Sequence, residues 1–208
     1  MDKRGKFIVF EGGEGSGKDT HIDRLKKKYA GRGDIVFTRE PGGTSQGEQI
    51  RSLFLAPRER KISVPRELVL FVAARAILLE EVILPALAAG KTVISNRFGL
   101  STIAYQIYGR QCNEHLPMLQ KLSAFAVGDA IPSDYILLDV TPEVGIARVR
   151  SRGDGMTSFD AESLAFHSRV REGYLKHISD YNGLVIDADR PLEEVWATVE
   201  AEVEKIIG

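Results

Sequence analysis

The chain has 208 residues, enough for one large α/β domain with a buried core. Twenty-eight basic residues against twenty-nine acidic leave a net charge of −1, which argues against a dedicated nucleic-acid or membrane-surface protein but leaves room for a local basic pocket. One cysteine, Cys112, cannot form an intrachain disulfide, as suits a reducing cytoplasm.

The N-terminal MDKRGKF runs directly into an apolar stretch, so no signal peptide is expected. Lys6–Glu11 (KFIVFE) reads as the first strand, and a helical pattern opens near Lys18. Between them lies GGEGSGKDT, Gly12–Thr20. Gly12, four residues, Gly17 and Lys18 give the spacing of a phosphate-binding P-loop. Its glycines let backbone N–H groups turn inward on an anion, and the next helix adds the positive end of its dipole. Lys18 supplies a full charge for the β- and γ-phosphates. The predicted nucleotide set is Gly12, Gly13, Glu14, Gly15, Ser16, Gly17, Lys18, Asp19 and Thr20. Asp19 stands where such loops usually carry Ser or Thr for Mg²⁺.

Further apolar runs, Ile35–Thr38, Thr92–Ser95, Tyr135–Val140 and Leu184–Ile186, alternate with helical patterns. That alternation predicts βαβ units and a buried, doubly wound parallel sheet of five strands. Chemistry is then expected just past the strands' carboxyl ends. The second run leads into TREPGGT, Thr38–Thr44, a tight loop with Arg39, Glu40 and Pro41. Ser45–Phe54 follows as a helix carrying Arg51. Pro65–Ala89 reads as one long helix with Pro85 as a kink point. Phe71 and Arg75 share one face of it. They suit a nucleobase sandwich, or more plainly a core ring and an arginine paired to a carboxylate. The longest apolar region, Leu68–Ala89, is too polar to span a bilayer.

The third run ends in ISNRFGLSTIAYQ, where Ser101, Thr102, Tyr105 and Gln106 form a polar helical face behind Arg97. Asp139 ends the fourth run. It is read as a cap or brace rather than a metal ligand, because Thr141-Pro142 already looks like the start of a helix. Arg148–Asp160 (RVRSRGDGMTSFD) is basic and contains Gly153 and Gly155, which suits a lid closing over phosphates. A helix from about Phe159 carries Arg169 and Arg171, and a last amphipathic helix, Leu192–Ile207, is expected to lay Trp196 on the sheet.

FEGGEGSGK, TREPGGT, LFVAAR, NRF and STIAYQ together resemble the thymidylate kinases, P-loop enzymes that phosphorylate dTMP to dTDP with ATP. The resemblance covers nearly the whole chain and implies a single kinase domain over residues 1–208, with the lid at about 148–160. It also implies Mg²⁺ as cofactor, a homodimer and a cytoplasmic setting. Carried over residue by residue, Lys18 and the loop would hold ATP. The dTMP site would comprise Glu14, Arg39, Pro41, Arg51, Phe71, Arg75, Arg97, Thr102, Tyr105 and Gln106. Phe71 would stack on thymine, Arg75 reach a base carbonyl and Tyr105 pack on the deoxyribose. The P-loop lacks an arginine, as in the bacterial-type subclass whose lid supplies one. Lys18 and Arg97, with Arg150 and Arg152 from the lid, are the catalytic candidates, and Arg148 belongs to the same basic run.

Against the family pattern, a carboxylate is gained at Asp19 and lost at Asn96, and a lid arginine is missing at Ser158. The first two departures suggest either that the carboxylate has crossed the metal site, making Asp19 the candidate metal ligand, or unrelated drift with Asp19 pointing to solvent. Another nucleoside-monophosphate or deoxynucleoside kinase is the nearest alternative function. A catalytically weakened nucleotide-binding protein is a second. A GTPase switch is disfavoured, since no N-K-x-D motif is present.

Overall fold

Strand β1, Phe7–Glu11, is buried along its whole length. Alternation sends Phe7 and Val9 into one apolar layer and Ile8 and Phe10 into the other. A strand buried on both faces belongs at the centre of a parallel sheet. The computed structural model, which describes residues 5–55, 62–152 and 157–208, puts it there. β2 (Ile35–Arg39), β3 (Thr92–Asn96), β4 (Asp134–Asp139) and β5 (Gly183–Asp187) complete one sheet in the order β2-β3-β1-β4-β5, with every pairing parallel. Each predicted run became a strand, with no end shifted by more than one residue.

Helices cover both faces. Below the sheet lie α1 (Lys18–Lys28) and α9 (Leu192–Ile207), whose Val195, Val199 and Val203 recur every four residues and are buried. Trp196, expected on the sheet, stacks on His21 of α1, with ring centroids 6.1 Å apart. On the other face are α3 (Val64–Leu78), α8 (Leu164–His177) and the helix after β3. α2 (Ser45–Leu55) packs on α3, and α6 (Leu116–Val127) and α7 (Pro142–Arg152) complete the shell.

Two helices are locally widened. The helix expected over Pro65–Ala89 runs as α3, a π-helical stretch Leu79–Ile83, and α4 (Leu84–Ala88). Pro85 has no N–H to donate, so the preceding turn relaxes to the wider spacing. The helix after β3 is α-helical over Gly99–Thr102 (α5) and π-helical over Ile103–Gly109. α8 begins at Leu164, not near Phe159, because Ser163 caps it by accepting from the Phe166 N–H. Arg148–Arg152, expected within a flexible lid, are the last residues of α7. Gly153 and Gly155 lie outside the described residues.

Candidate active site

The P-loop leaves β1 and turns into α1 through backbone only glycine adopts freely: φ is +148° at Gly12, +71° at Gly15 and +85° at Gly17. Space demands glycine as well. A Cβ on Gly15 would sit 2.0 Å from the carbonyl oxygen of Gly145 in α7. A Cβ on Gly145 would lie 2.3 Å from the Glu14 oxygen. The loop is thus pressed against α7, and Gly145 is a structural partner that the sequence pattern did not single out.

Lys18 is buried, and its Nζ donates to the carbonyls of Gly12 (2.8 Å) and Gly13 (2.9 Å) and to Ser16 Oγ (3.0 Å). Burial, and then the neighbouring Arg97, push this ammonium down to about 7. The loop and Lys18 form one end of a cavity of about 390 Å³, within the usual range for a small-ligand site. Glu14, Gly15, Ser16, Gly17, Lys18 and Asp19 line it. Gly12 and Gly13 sit behind it as backbone acceptors. Thr20 is exposed on α1 and is not among the lining residues.

Arg97 is the hub of the far wall. It holds a left-handed backbone (φ +71°), a strained position of the kind found at functional sites. Its guanidinium donates to Gly12 O (2.9 Å), Glu14 Oε1 (3.1 Å) and the hydroxyls of Tyr105 (3.0 Å) and Tyr174 (2.7 Å). Tyr105 also donates to Glu14 at 2.7 Å. Behind this group stands Glu11, fully buried at the end of β1. It accepts from the backbone N–H groups of Phe98 and Ser101 and from the hydroxyls of Ser101 and Tyr174. Glu11 thereby fixes the start of α5. Neither Glu11 nor Tyr174 was singled out from sequence, because their meeting joins β1 to α8.

The TREPGGT loop supplies the opposite wall. Glu48 of α2 accepts from Gly43 N–H (2.9 Å) and pairs with Arg39, while Arg51 donates to Pro41 O (3.0 Å). Arg39, Pro41, Arg51, Phe71, Arg97, Thr102, Tyr105 and Gln106 all line the same cavity. Phe71 serves both readings: it lines the cavity and stacks on Phe54, centroids 4.1 Å apart. Two of the expected site residues, Arg75 and Arg150, are not among the lining residues. Arg75 is fully buried behind the wall. Its Nε lies 2.8 Å from Glu40 Oε1, in ion-pair contact without hydrogen-bond alignment, and it donates to Thr102 (2.8 Å) and Ser123 (3.2 Å). It braces Thr102 from behind instead of lining the cavity. Arg150 is exposed and does not line it either. Alternating positions diverge on a helix, so of the three arginines only Arg152 joins Val149 at the lining. Arg148 instead donates to the carbonyl of Ala188 (2.7 Å).

Asp139 is a brace, as read: Arg171 grips it with two bonds of 2.7 and 2.8 Å. Arg169 bonds the Gly109 carbonyl, outside the cavity. Ser158, where the family pattern has a lid arginine, donates to the Phe54 carbonyl at 2.9 Å. Asp19 and Asn96, the two departures, touch: Asn96 Nδ2 donates to Asp19 Oδ1 at 2.6 Å. Asn96 Oδ1 is buried without a partner.

A parallel sheet whose central strand opens into a phosphate cradle, at one end of a cavity walled further along by arginines and an aromatic ring, defines a P-loop phosphotransferase for a small phosphorylated acceptor. The thymidylate kinase family model matches residues 10–199. Proteins named thymidylate kinase are 38% identical in a Geobacillus species (99% of each chain), 40% in Magnetococcus marinus (97% of this chain, 96% of that one) and 41% in Carboxydothermus hydrogenoformans (99% and 100%). The chain belongs to the thymidylate kinase family.

Proposed function

We propose that this protein transfers the γ-phosphoryl group of ATP to dTMP, releasing dTDP and ADP. The observation that carries this reading is the single cavity joining the P-loop to the Arg39, Arg51, Arg97 and Phe71 walls. ATP would place its phosphates on the loop, and dTMP would lie with its base toward Phe71, Thr102 and Gln106. The attacking oxygen belongs to an already ionised phosphate, so no strong general base is needed. Catalysis is then alignment and charge neutralisation by Lys18, Arg97 and Arg152. An arginine supplied to a transferring phosphoryl group can contribute ~10³–10⁵ in rate. Phosphates entering beside Lys18 restore its full charge. The lid, about 148–160, would exclude competing water.

Magnesium fits this site. Asp19 offers a carboxylate at the cavity and Asn96 an unpartnered amide oxygen. Mg²⁺ is commonly held by one or two carboxylates together with substrate phosphates and water. Among the described residues no three His, Cys, Asp or Glu side chains gather as a metal cage. When bound, the ion would neutralise charge on the β- and γ-oxygens. The exchange Asp19→Thr with Asn96→Asp tests this placement: the pair should recover turnover that each single change loses. Additive losses would exclude it.

The same reading carries a single catalytic domain, a homodimer and a cytoplasmic setting. No helix among the described residues is long and apolar enough to cross a membrane. The deciding experiment is a coupled ADP-release assay with dTMP, dUMP, dGMP, dCMP and thymidine. dTMP should be preferred. Preference for another nucleotide would make this a different monophosphate kinase. Binding with background turnover would favour a weakened nucleotide-binding protein, a reading Asn96 and Ser158 keep in view.

A further inference from the structure

Arg110 has no part in the assignments above, yet it ties together three pieces of the cavity wall. It follows the π-helical stretch that carries Tyr105 and Gln106. Its guanidinium donates to Glu162 Oε1 and lies 3.5 Å from Glu67 Oε1. Glu67 in turn accepts from Gln106 Nε2 at 3.3 Å. The same guanidinium lies over the rings of Phe159 (5.7 Å) and Phe166 (5.2 Å). Phe159 meets Tyr105 edge to face, centroids 5.6 Å apart.

Residues 157–162 form a compact turn. Thr157 and Asp160 exchange hydrogen bonds reciprocally, 2.7 Å from Thr157 N–H to Asp160 Oδ2 and 3.1 Å from Asp160 N–H to Thr157 Oγ1, the pattern of a capping box. Thr157, Phe159 and Asp160 line the cavity. Ser158 fastens the turn to α2 on one side. Arg110 fastens it, through Glu162 and Phe159, to the base-side wall on the other. Arg110 thus stands between two carboxylates of like charge, Glu67 and Glu162.

We infer that Arg110 is a positioning residue that latches the 157–162 turn over the acceptor half of the cavity and, through Glu67 and Gln106, links that latch to the residue facing the base. The inference rests on the phosphotransfer reading. Its consequence is chemical. A loosened turn admits water, whose oxygen attacks the γ-phosphorus of ATP. The bond from that phosphorus to the bridging oxygen breaks, giving ADP, inorganic phosphate and a proton in place of dTDP.

The test measures ADP and dTDP in the same reaction for the parent chain, Arg110→Gln, Glu162→Gln and Arg110→Lys, together with amide exchange over 157–162. The parent should release ADP and dTDP in equal amounts, and dTMP should slow exchange in the turn. Both glutamine variants should release excess ADP, form dTDP about tenfold more slowly and lose the dTMP-dependent protection. Arg110→Lys should recover part of each. Equal products with unchanged exchange overturn the inference, whether at parental rate or uniformly slower, since a merely structural role gives only the latter. Should Arg110→Gln fail to fold, Glu162→Gln carries the same test. A parent chain that makes no dTDP refutes the phosphotransfer reading, while amide exchange still tests the latch by itself.

Discussion

Asp139 ends its strand where many P-loop proteins place a metal ligand, but both its oxygens are taken by Arg171. Asp139→Asn should lower unfolding free energy by about 1 kcal/mol, the scale of a partly exposed ion pair, and leave turnover near the parent value. A loss of turnover of 100-fold or more in that variant would instead put the metal at this strand. His167 offers a pH test. It is buried beside the loop, with Glu14, Asp160 and Glu162 as the charges around it. Burial holds its imidazole below the ordinary histidine value of 6.5, against the pull of those carboxylates. Below that pH the unfolded chain takes up a proton that the folded one resists, so this residue's effect lowers stability as pH falls. Denaturant titrations of parent and His167→Gln should therefore converge as pH drops below 6.5, and a pH-independent difference would refute the assignment.

At the scale of elements, the P-loop end of the cavity depends on how closely α7 approaches the loop. Gly145→Ala would drive a methyl against the Glu14 carbonyl. The loop must then shift, and the expected result is a rise in the ATP KM of about tenfold or more with a smaller change for dTMP. Equal effects on both substrates would show that the two halves move together. The helix after β3 makes a related point. Its wider π-helical spacing begins at Ile103 and carries Tyr105 and Gln106, and such distortions often occur at functional sites. Helical periodicity showed a polar face there. It could not show that the turn widens, because widening is chosen by what packs around it, here α8 with Gly173 against Tyr108.

At the scale of the molecule, each substrate that binds only the folded state stabilises it by mass action. At roughly 100 times Kd each should add about 2.7 kcal/mol. Thermal denaturation of Lys18→Met should lose the ATP increment and keep that of dTMP. Loss of both would contradict the division of the cavity into a donor end and an acceptor end.

The sequence alone determined the sheet, the P-loop and most of the acceptor wall, because those signals are local. Burial on both faces of a parallel strand demands unbroken apolar runs, a phosphate cradle demands glycines and a lysine at fixed spacing, and Phe71, Tyr105 and Gln106 stand within recognisable motifs. Only the tertiary structure decided which arginines line the cavity. Arg148, Arg150 and Arg152 look alike in sequence, yet a helix turns one onto a backbone carbonyl, one to solvent and one toward the cavity. Arg75 went behind the wall because Glu40 of another loop waits there, and Glu11, Tyr174, Glu67 and Arg110 drew no notice because their partners lie far along the chain. A charged side chain's role is set by the opposite charge or cavity it meets after folding, and that meeting has no period, spacing or composition by which to read it.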